Sequence, residues 1–196
     1  MEQSRKLVLA SASRYRRELL ARLGLQFECA SANVDESPLP GEGSAGTATR
    51  LAALKARAVA PQFADALIIG SDQVASCNGV RLGKPGDHAT ALRQLSGLSG
   101  RQADFDTAVC VLDTANDAIR SRSVPCRVTF RELTRAQIEA YLRREQPYDC
   151  AGSAKSEGLG IALIARIETQ DPTSLVGLPL IALTDLLAAS GMPVIG

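Results

Sequence analysis

Asp72 and Gln73 follow the aliphatic run Leu67-Ile68-Ile69 by way of Gly70-Ser71. A second polar and glycine-rich patch, Ser153-Ala154-Lys155-Ser156-Glu157-Gly158-Leu159-Gly160, borders Ile161-Ala162-Leu163-Ile164. Open α/β sheets place ligand chemistry where polar groups meet the ends of buried strands. Taken singly, each patch also reads as an ordinary strand-end turn. A third constellation is Ser11-x-Ser13-x-x-Arg16-Arg17. Two hydroxyls, the free N–H groups of a helix start and a guanidinium converge there on an anion. The same residues also describe a capped amphipathic helix with solvated arginines. Asp35-Glu36 and Asp72 add carboxylates at comparable positions. Carboxylates opposite a basic anion site hold a magnesium–phosphate substrate, although each acid also suits a turn.

Other motifs are weaker. Gly41-Glu42-Gly43-Ser44-Ala45-Gly46 spells GxGxxG, but Pro38-Leu39-Pro40 precedes it where a strand must stand, so a pyrophosphate turn is not expected. Gly79 to Pro85 is one residue short of a Walker A loop, and Pro85 replaces the magnesium-binding hydroxyl. Lys84 remains an ammonium held by its Gly and Pro neighbours. His88 is the only histidine, so a histidine-based triad would have to run through it; a helix-end or solvated role is expected instead. The five cysteines form no CxxC pair, which argues against zinc and for reduced thiols packed as small core residues.

The elements that must position these groups fit one chain of 196 residues with 45% hydrophobic content, enough for a single α/β domain with two lobes. A net charge of +1 gives no basic field for nucleic-acid polymers or a membrane surface. The N-terminal residues carry no signal-like apolar segment, and no apolar run is long enough for a bilayer, so a cytoplasmic setting is expected. The pattern predicts strands at 6–10, 26–30 and 66–70, and a hairpin around Asn78-Gly79. Long strands follow at 103–112 and 123–130, with a last strand at 161–168. Helices are expected from Ser13 to Gly24, from Thr47 to about Ala60, from Asp87 to about Ser96, from Thr134 to about Arg144, and from Leu180 to Ala189. Hairpins amid alternating strands and helices predict a mixed twisted sheet with flanking helices.

Together the segments resemble the Maf family of nucleoside triphosphate pyrophosphatases nearly end to end. The resemblance rests on Leu9-Ala10-Ser11-Ala12-Ser13 with Arg16-Arg17, Val34-Asp35-Glu36, Leu51-Ala52-x-x-Lys55-Ala56 and Ile69-Gly70-Ser71-Asp72-Gln73-Val74. It continues through Gly83-Lys84-Pro85, Leu95-Ser96-Gly97, Cys150-Ala151-Gly152-Ser153-x-Lys155-Ser156-Glu157-Gly158 and Leu175-Val176-Gly177-Leu178-Pro179. The Ser-Asp-Gln-Val and Ala-Gly-Ser-x-x-Ser-Glu-Gly signatures are closest to the branch that hydrolyses 7-methyl-GTP. The dTTP/UTP branch usually carries Ala-Asp-Thr in the first and glutamine at the Glu157 position.

The resemblance implies a single Maf-like domain over residues 1–196, an α/β fold in two lobes with the active site in the cleft between them. It implies hydrolysis between the α- and β-phosphates, a divalent cation (magnesium or manganese), a cytoplasmic location and a homodimer. Asp72 matches the proposed proton acceptor, and Tyr15, Gln73 and Glu157 match positions tied to base choice. On this reading Arg16, Lys55 and Lys84 meet phosphate oxygens, Ser11 and Ser13 line the substrate, and Asp35, Glu36 and Asp72 supply metal ligands. Tyr15 replaces a frequent tryptophan. Ala108 replaces a usual glycine, where an added methyl could obstruct a close phosphate approach. Two rival readings are a pyrophosphatase for other canonical or modified nucleotides such as dTTP and UTP, and a nucleotide-binding regulator of cell division without turnover.

Overall fold

The computed structural model describes residues 5–195. It contains a seven-stranded mixed sheet. The strands are β1 (Lys6–Leu9), β2 (Glu28–Cys29), β3 (Ala66–Cys77), β4 (Val80–Leu82), β5 (Gln102–Asp113), β6 (Ala118–Phe130) and β7 (Ile164–Thr169). The helices are α1 (Arg14–Ala21), α2 (Ser44–Val59), α3 (His88–Leu98), α4 (Arg135–Glu145) and α5 (Leu180–Ala189). Strand order is β2-β1-β3-β5-β6-β7, with β4 paired to β3. Among the described residues no helix is long and apolar enough to cross a membrane.

The chain divides into two compact units. The first comprises the chain up to Gln73, Thr107–Val124, and the chain from Asp171 onward; the second comprises Val74–Asp106 and Pro125–Gln170. In the first unit β1 pairs in parallel with β2 and with β3, through Val8↔Glu28 and Leu7↔Leu67. Side chains alternate between the faces of a strand. Leu7 and Leu9 of β1, Leu67 and Ile69 of β3 and Val109 and Val111 of β5 bury one face with Leu19 and Leu20 of α1 and Leu183 and Leu187 of α5. The other face carries Ile68, Gly70 and Asp72 and is covered by α2. A Cβ on Gly70 would stand 2.0 Å from the Ala52 carbonyl oxygen, so this contact demands a glycine.

In the second unit the Asn78-Gly79 hairpin forms as the sequence predicts. Both residues have positive φ, 49° and 77°, and Cys77 pairs with Val80. Thr134 and Gln137 close a capping box on α4, and Asp87 caps α3 through the Thr90 N–H. β6 and β7 pair antiparallel.

Several predicted boundaries change: the 123–130 strand begins already at Ala118, α1 ends at Ala21 instead of Gly24, and α2 starts at Ser44 instead of Thr47. The 66–70 strand does not stop at Gly70 but runs to Cys77, because residues 75–77 find hydrogen-bond partners in β4. The 26–30 strand contracts to Glu28–Cys29. The 161–168 strand starts only at Ile164, since 159–163 form a tight 3₁₀ segment ahead of it. Cys110 and Cys126 are core residues as expected, whereas Cys29 is exposed. Burial in apolar surroundings pushes the Cys110 thiol up to about 12, which leaves it inert.

Candidate active site

The first unit assembles most of the predicted groups. β1 ends at Leu9, and the Ala10 N–H donates to the Ile69 carbonyl at 2.8 Å, which ties the following turn to β3. Ser11 Oγ accepts from the Ser13 N–H at 3.1 Å, and Ser13 caps α1 by accepting from the Arg16 N–H at 3.4 Å. Arg16 lies in the first turn of α1. Its Nε donates to the Gly177 carbonyl at 2.8 Å and its Nη1 reaches Ser11 Oγ at 3.5 Å. Nη2 has no hydrogen-bond partner among the described residues, so part of the fork remains for an incoming anion. Desolvation lowers the Arg16 pKa from its ordinary value, and the Asp72 and Glu36 carboxylates act against that shift.

Asp72 is buried in β3, not at a strand end as the sequence suggests. It lies on the face that α2 covers. There Lys55, itself buried, places Nζ 2.6 Å from Asp72 Oδ1 and 2.6 Å from Glu36 Oε1. The ammonium therefore bridges two carboxylates instead of standing open for a phosphate. Removing the Lys55 charge would strand Asp72 in a poorly solvated place. Asp72 Oδ2 has no hydrogen bond among the described residues. Asp35 turns back to accept from the Ser37 N–H at 2.9 Å, and its pKa is lowered by its hydrogen bonds with Ser37.

Gln73 points to the opposite face. Its amide NH₂ lies 2.9 Å from Thr107 Oγ1, 2.9 Å from the Ser174 carbonyl and 3.1 Å from the Leu175 carbonyl. The nitrogen is committed to these acceptors, and only the carboxamide oxygen is left for a ligand. Tyr15 is half-buried. The Arg14 guanidinium lies 4.6 Å from its ring centroid and donates to its hydroxyl at 2.5 Å. The ring already acts as a platform for a delocalised cation. Ala108 is fully buried and gives its carbonyl to the Ser71 hydroxyl at 2.8 Å, so its added methyl is core packing.

Lys84 and Glu157 belong to the second unit, and both are exposed. Lys84 carries no ion pair among the described residues. The loop that presents Glu157 is held by α4. Glu145 accepts from Lys155 Nζ at 2.9 Å and from the Leu159 N–H at 2.7 Å, and the Tyr141 hydroxyl accepts from the Lys155 N–H at 3.0 Å. Gly160 is required here, because a Cβ would fall 2.5 Å from the Lys155 carbonyl oxygen. His88 stands at the start of α3 between Tyr148 (3.1 Å) and Glu139 (3.0 Å), the helix-end role expected of it.

Sequence reasoning assigned no role to Gly177 or Asp171. Gly177 has φ +110°, and its carbonyl accepts from both Arg16 Nε and Ser71 Oγ. Buried Asp171 accepts from Thr173 Oγ1 at 2.7 Å and from the Ile181 N–H at 2.7 Å, which fastens the 171–177 segment to the start of α5. Asp171 lies too far ahead of α5 for capping rules to find it.

Residues 6–190 match the family described as Maf-like protein. The chain belongs to the Maf family. A protein of Thiobacillus denitrificans named 7-methyl-GTP pyrophosphatase is 59% identical over 96% of this chain and 94% of its own length. Proteins of the same name from Burkholderia pseudomallei and Cupriavidus pinatubonensis are 55% and 56% identical, covering 97% and 96% of this chain and 90% and 94% of their own. Among solved structures, the Ham1 protein of Staphylococcus aureus aligns over 65% of this chain and 73% of its own, with 15% identity and a TM-score of 0.48.

Among the described residues of this Maf chain, no three His, Cys, Asp or Glu side chains cluster as a ready-made metal cage. The donors at hand are the oxygens of Glu36 and Asp72. That set fits a hard cation which takes one or two protein carboxylates and completes its shell with water and substrate phosphate. It does not suit a soft metal.

The two arginines of α1 separate cleanly. Arg16 is held by Gly177 and Ser11, whereas Arg17 is exposed. Adjacent helical residues diverge by about 100°. Arg16→Ala is expected to lower kcat/KM about 100-fold and Arg17→Ala less than about threefold, consistent with removal of a charge-assisted bond to phosphate. Steady-state kinetics on both variants checks this, and equal losses would refute the placement.

Proposed function

We propose that this chain hydrolyses 7-methyl-GTP to 7-methyl-GMP and pyrophosphate. The observation that carries the reading is the buried Asp72–Lys55 pair, joined at its solvent side by the exposed Glu36 and formed in the same unit as the Ser11, Ser13 and Arg16 anion site. The relatives named 7-methyl-GTP pyrophosphatase, aligned over nearly their full length, support the substrate. The Maf match runs through both units without a break, which supports one functional domain over 1–196.

In this reading Arg16 and the start of α1 receive phosphate oxygens, with Ser11 and Ser13 shaping the turn. Asp72 accepts a proton from water as the water oxygen bonds to the α-phosphorus. The bond from the α-phosphorus to the bridging oxygen breaks, and pyrophosphate leaves. Lys55 holds Asp72 in place and offsets the cost of its burial. Lys84 supplies a further cation to the phosphates. Glu36 and Asp72 would hold a magnesium or manganese ion, with Asp35 a further candidate in the adjoining loop; the ion supplies charge neutralisation on the phosphates when bound. Tyr15, Gln73 and Glu157 are the proposed base-reading residues. A cytoplasmic setting and a homodimer rest on the family resemblance.

Methylation at N7 makes guanine a delocalised cation, which stacks on an aromatic face; Tyr15 supplies the ring, and the Arg14 guanidinium that lies over it gives way to the base on binding. Guanine also presents adjacent N–H donors that a carboxylate such as Glu157 accepts together. Pyrophosphate release is therefore expected to rank 7-methyl-GTP above GTP, and both above UTP and dTTP, with background rates when divalent cations are removed. Glu157→Gln should lose about tenfold on 7-methyl-GTP while its pyrimidine rates hold or rise, as expected when a charged acceptor is replaced by a neutral one. An unchanged ranking in the variant would remove Glu157 from base reading. A wild type that prefers UTP would overturn the substrate.

A further inference from the structure

The Gly41–Gly46 stretch, which lacks the setting of a dinucleotide turn, holds an acid bonded through both of its carboxylate oxygens, Glu42. Glu42 Oε1 accepts from Arg50 Nε at 2.7 Å, and Oε2 accepts from Arg50 Nη2 at 2.8 Å. Oε2 also accepts from the Thr47 hydroxyl at 2.8 Å and from the Leu39 N–H at 3.2 Å. Arg50 Nη2 donates in addition to the Ser37 carbonyl at 3.0 Å. The pair thus grips the loop backbone on both sides of Pro38. Glu36 sits one residue before Ser37, and its carboxylate lies 2.6 Å from Lys55 Nζ.

We propose that Glu42 and Arg50 are positioning residues for the reaction: their fork fixes the loop that lays Glu36 on Lys55, and so sets the Lys55–Asp72 pair. This rests on the role given to Asp72 above. A loop without helix or strand loses conformational entropy when it is ordered, and something must offset that loss to keep Glu36 in one place. Two parallel N–H···O bonds in one plane fix direction as well as distance, which a single ammonium does not. The hydrogen bonds from Arg50 pull the Glu42 pKa down to about 2, so the fork stays ionised throughout the neutral range. Arg50 and Lys55 both project from α2, so the helix carries the clamp and the clamped partner together.

The test is a kinetic double-mutant cycle on the full chain with Arg50→Lys, Glu36→Gln and the double variant. Arg50→Lys keeps the charge and loses the fork. Each single change is expected to lower kcat about tenfold with KM within about twofold, as for a misplaced catalytic group. The double variant should be no slower than Glu36→Gln alone, since both changes break one link. Amide exchange at Leu39 and Ser37 should rise about tenfold in Arg50→Lys as the loop opens locally. Glu42→Gln serves as a second variant and should follow Arg50→Lys. Additive losses in the cycle, or unchanged exchange, would overturn the proposal. A wild-type chain that releases no pyrophosphate overturns the reaction and with it the positioning role, while raised exchange in the same variants would still establish the fork as the anchor of the loop.

Discussion

Asp72→Asn is expected to lower kcat for pyrophosphate release by about 100-fold or more while leaving nucleotide affinity within a few-fold, the loss typical of a general base. Asparagine has nearly the same shape and keeps an oxygen for Lys55 Nζ, which lies 2.6 Å from the wild-type carboxylate. What it loses is the capacity to take a proton. Stability should fall only modestly, because Glu36 still neutralises the ammonium. Lys55→Ala differs in kind, since it leaves Asp72 buried without its cation, and breaking a buried pair in this way costs about 3–5 kcal/mol. A comparison of thermal unfolding and single-turnover rates separates the two variants. Near-normal turnover by Asp72→Asn would remove Asp72 from the chemistry.

The reach of the sequence differed between the two sides of the β3 strand. Ser11, Ser13 and Arg16 were legible because a cap, a helix start and a guanidinium are adjacent in the chain, and the structure joins them as expected. Lys55 and Asp72 were legible as charged residues but not as partners, since α2 and β3 meet through tertiary packing that no local spacing reports. The position of Asp72 within β3 is hidden from the sequence for a related reason. Gly70-Ser71 looked like a turn, yet the glycine is there for the close approach of α2, and the strand continues past it. Gly177 and Asp171 act over long sequence separations, on Arg16, Ser71 and α5. Nothing in the GxGxxG spelling marks Glu42, because its place in the loop comes from its bonds to Arg50 and not from the glycines around it.

Gly70→Ala is expected to lower stability and turnover together, by displacing α2 from β3. The new methyl would lie 2.0 Å from the Ala52 carbonyl oxygen and 3.0 Å from Cys110 Sγ. A flexible side chain could move aside, but the nearest atom is helix backbone, and α2 must move as a body. Overpacking in a core usually costs about 1–3 kcal/mol and occasionally more, and a backbone obstruction belongs at the upper end. For a chain of this size about 3 kcal/mol corresponds to a fall in Tm of about 10 °C. The same shift lifts Lys55 from Asp72, because both contacts lie along one helix–strand seam. Turnover should therefore fall at least about tenfold at temperatures where the variant is still folded, as expected when a catalytic group is displaced by a fraction of an ångström. Gly97→Ala is the control. Gly97 lies within α3, and nothing beyond its own helix comes within 4 Å of the place an added methyl would take. Alanine is the better helix former there by up to about 1 kcal/mol. Its Tm should hold or rise. Calorimetry and steady-state kinetics on the two variants decide the matter: a Gly70→Ala chain with wild-type Tm and rate would mean that α2 does not depend on this contact to bring Lys55 to Asp72.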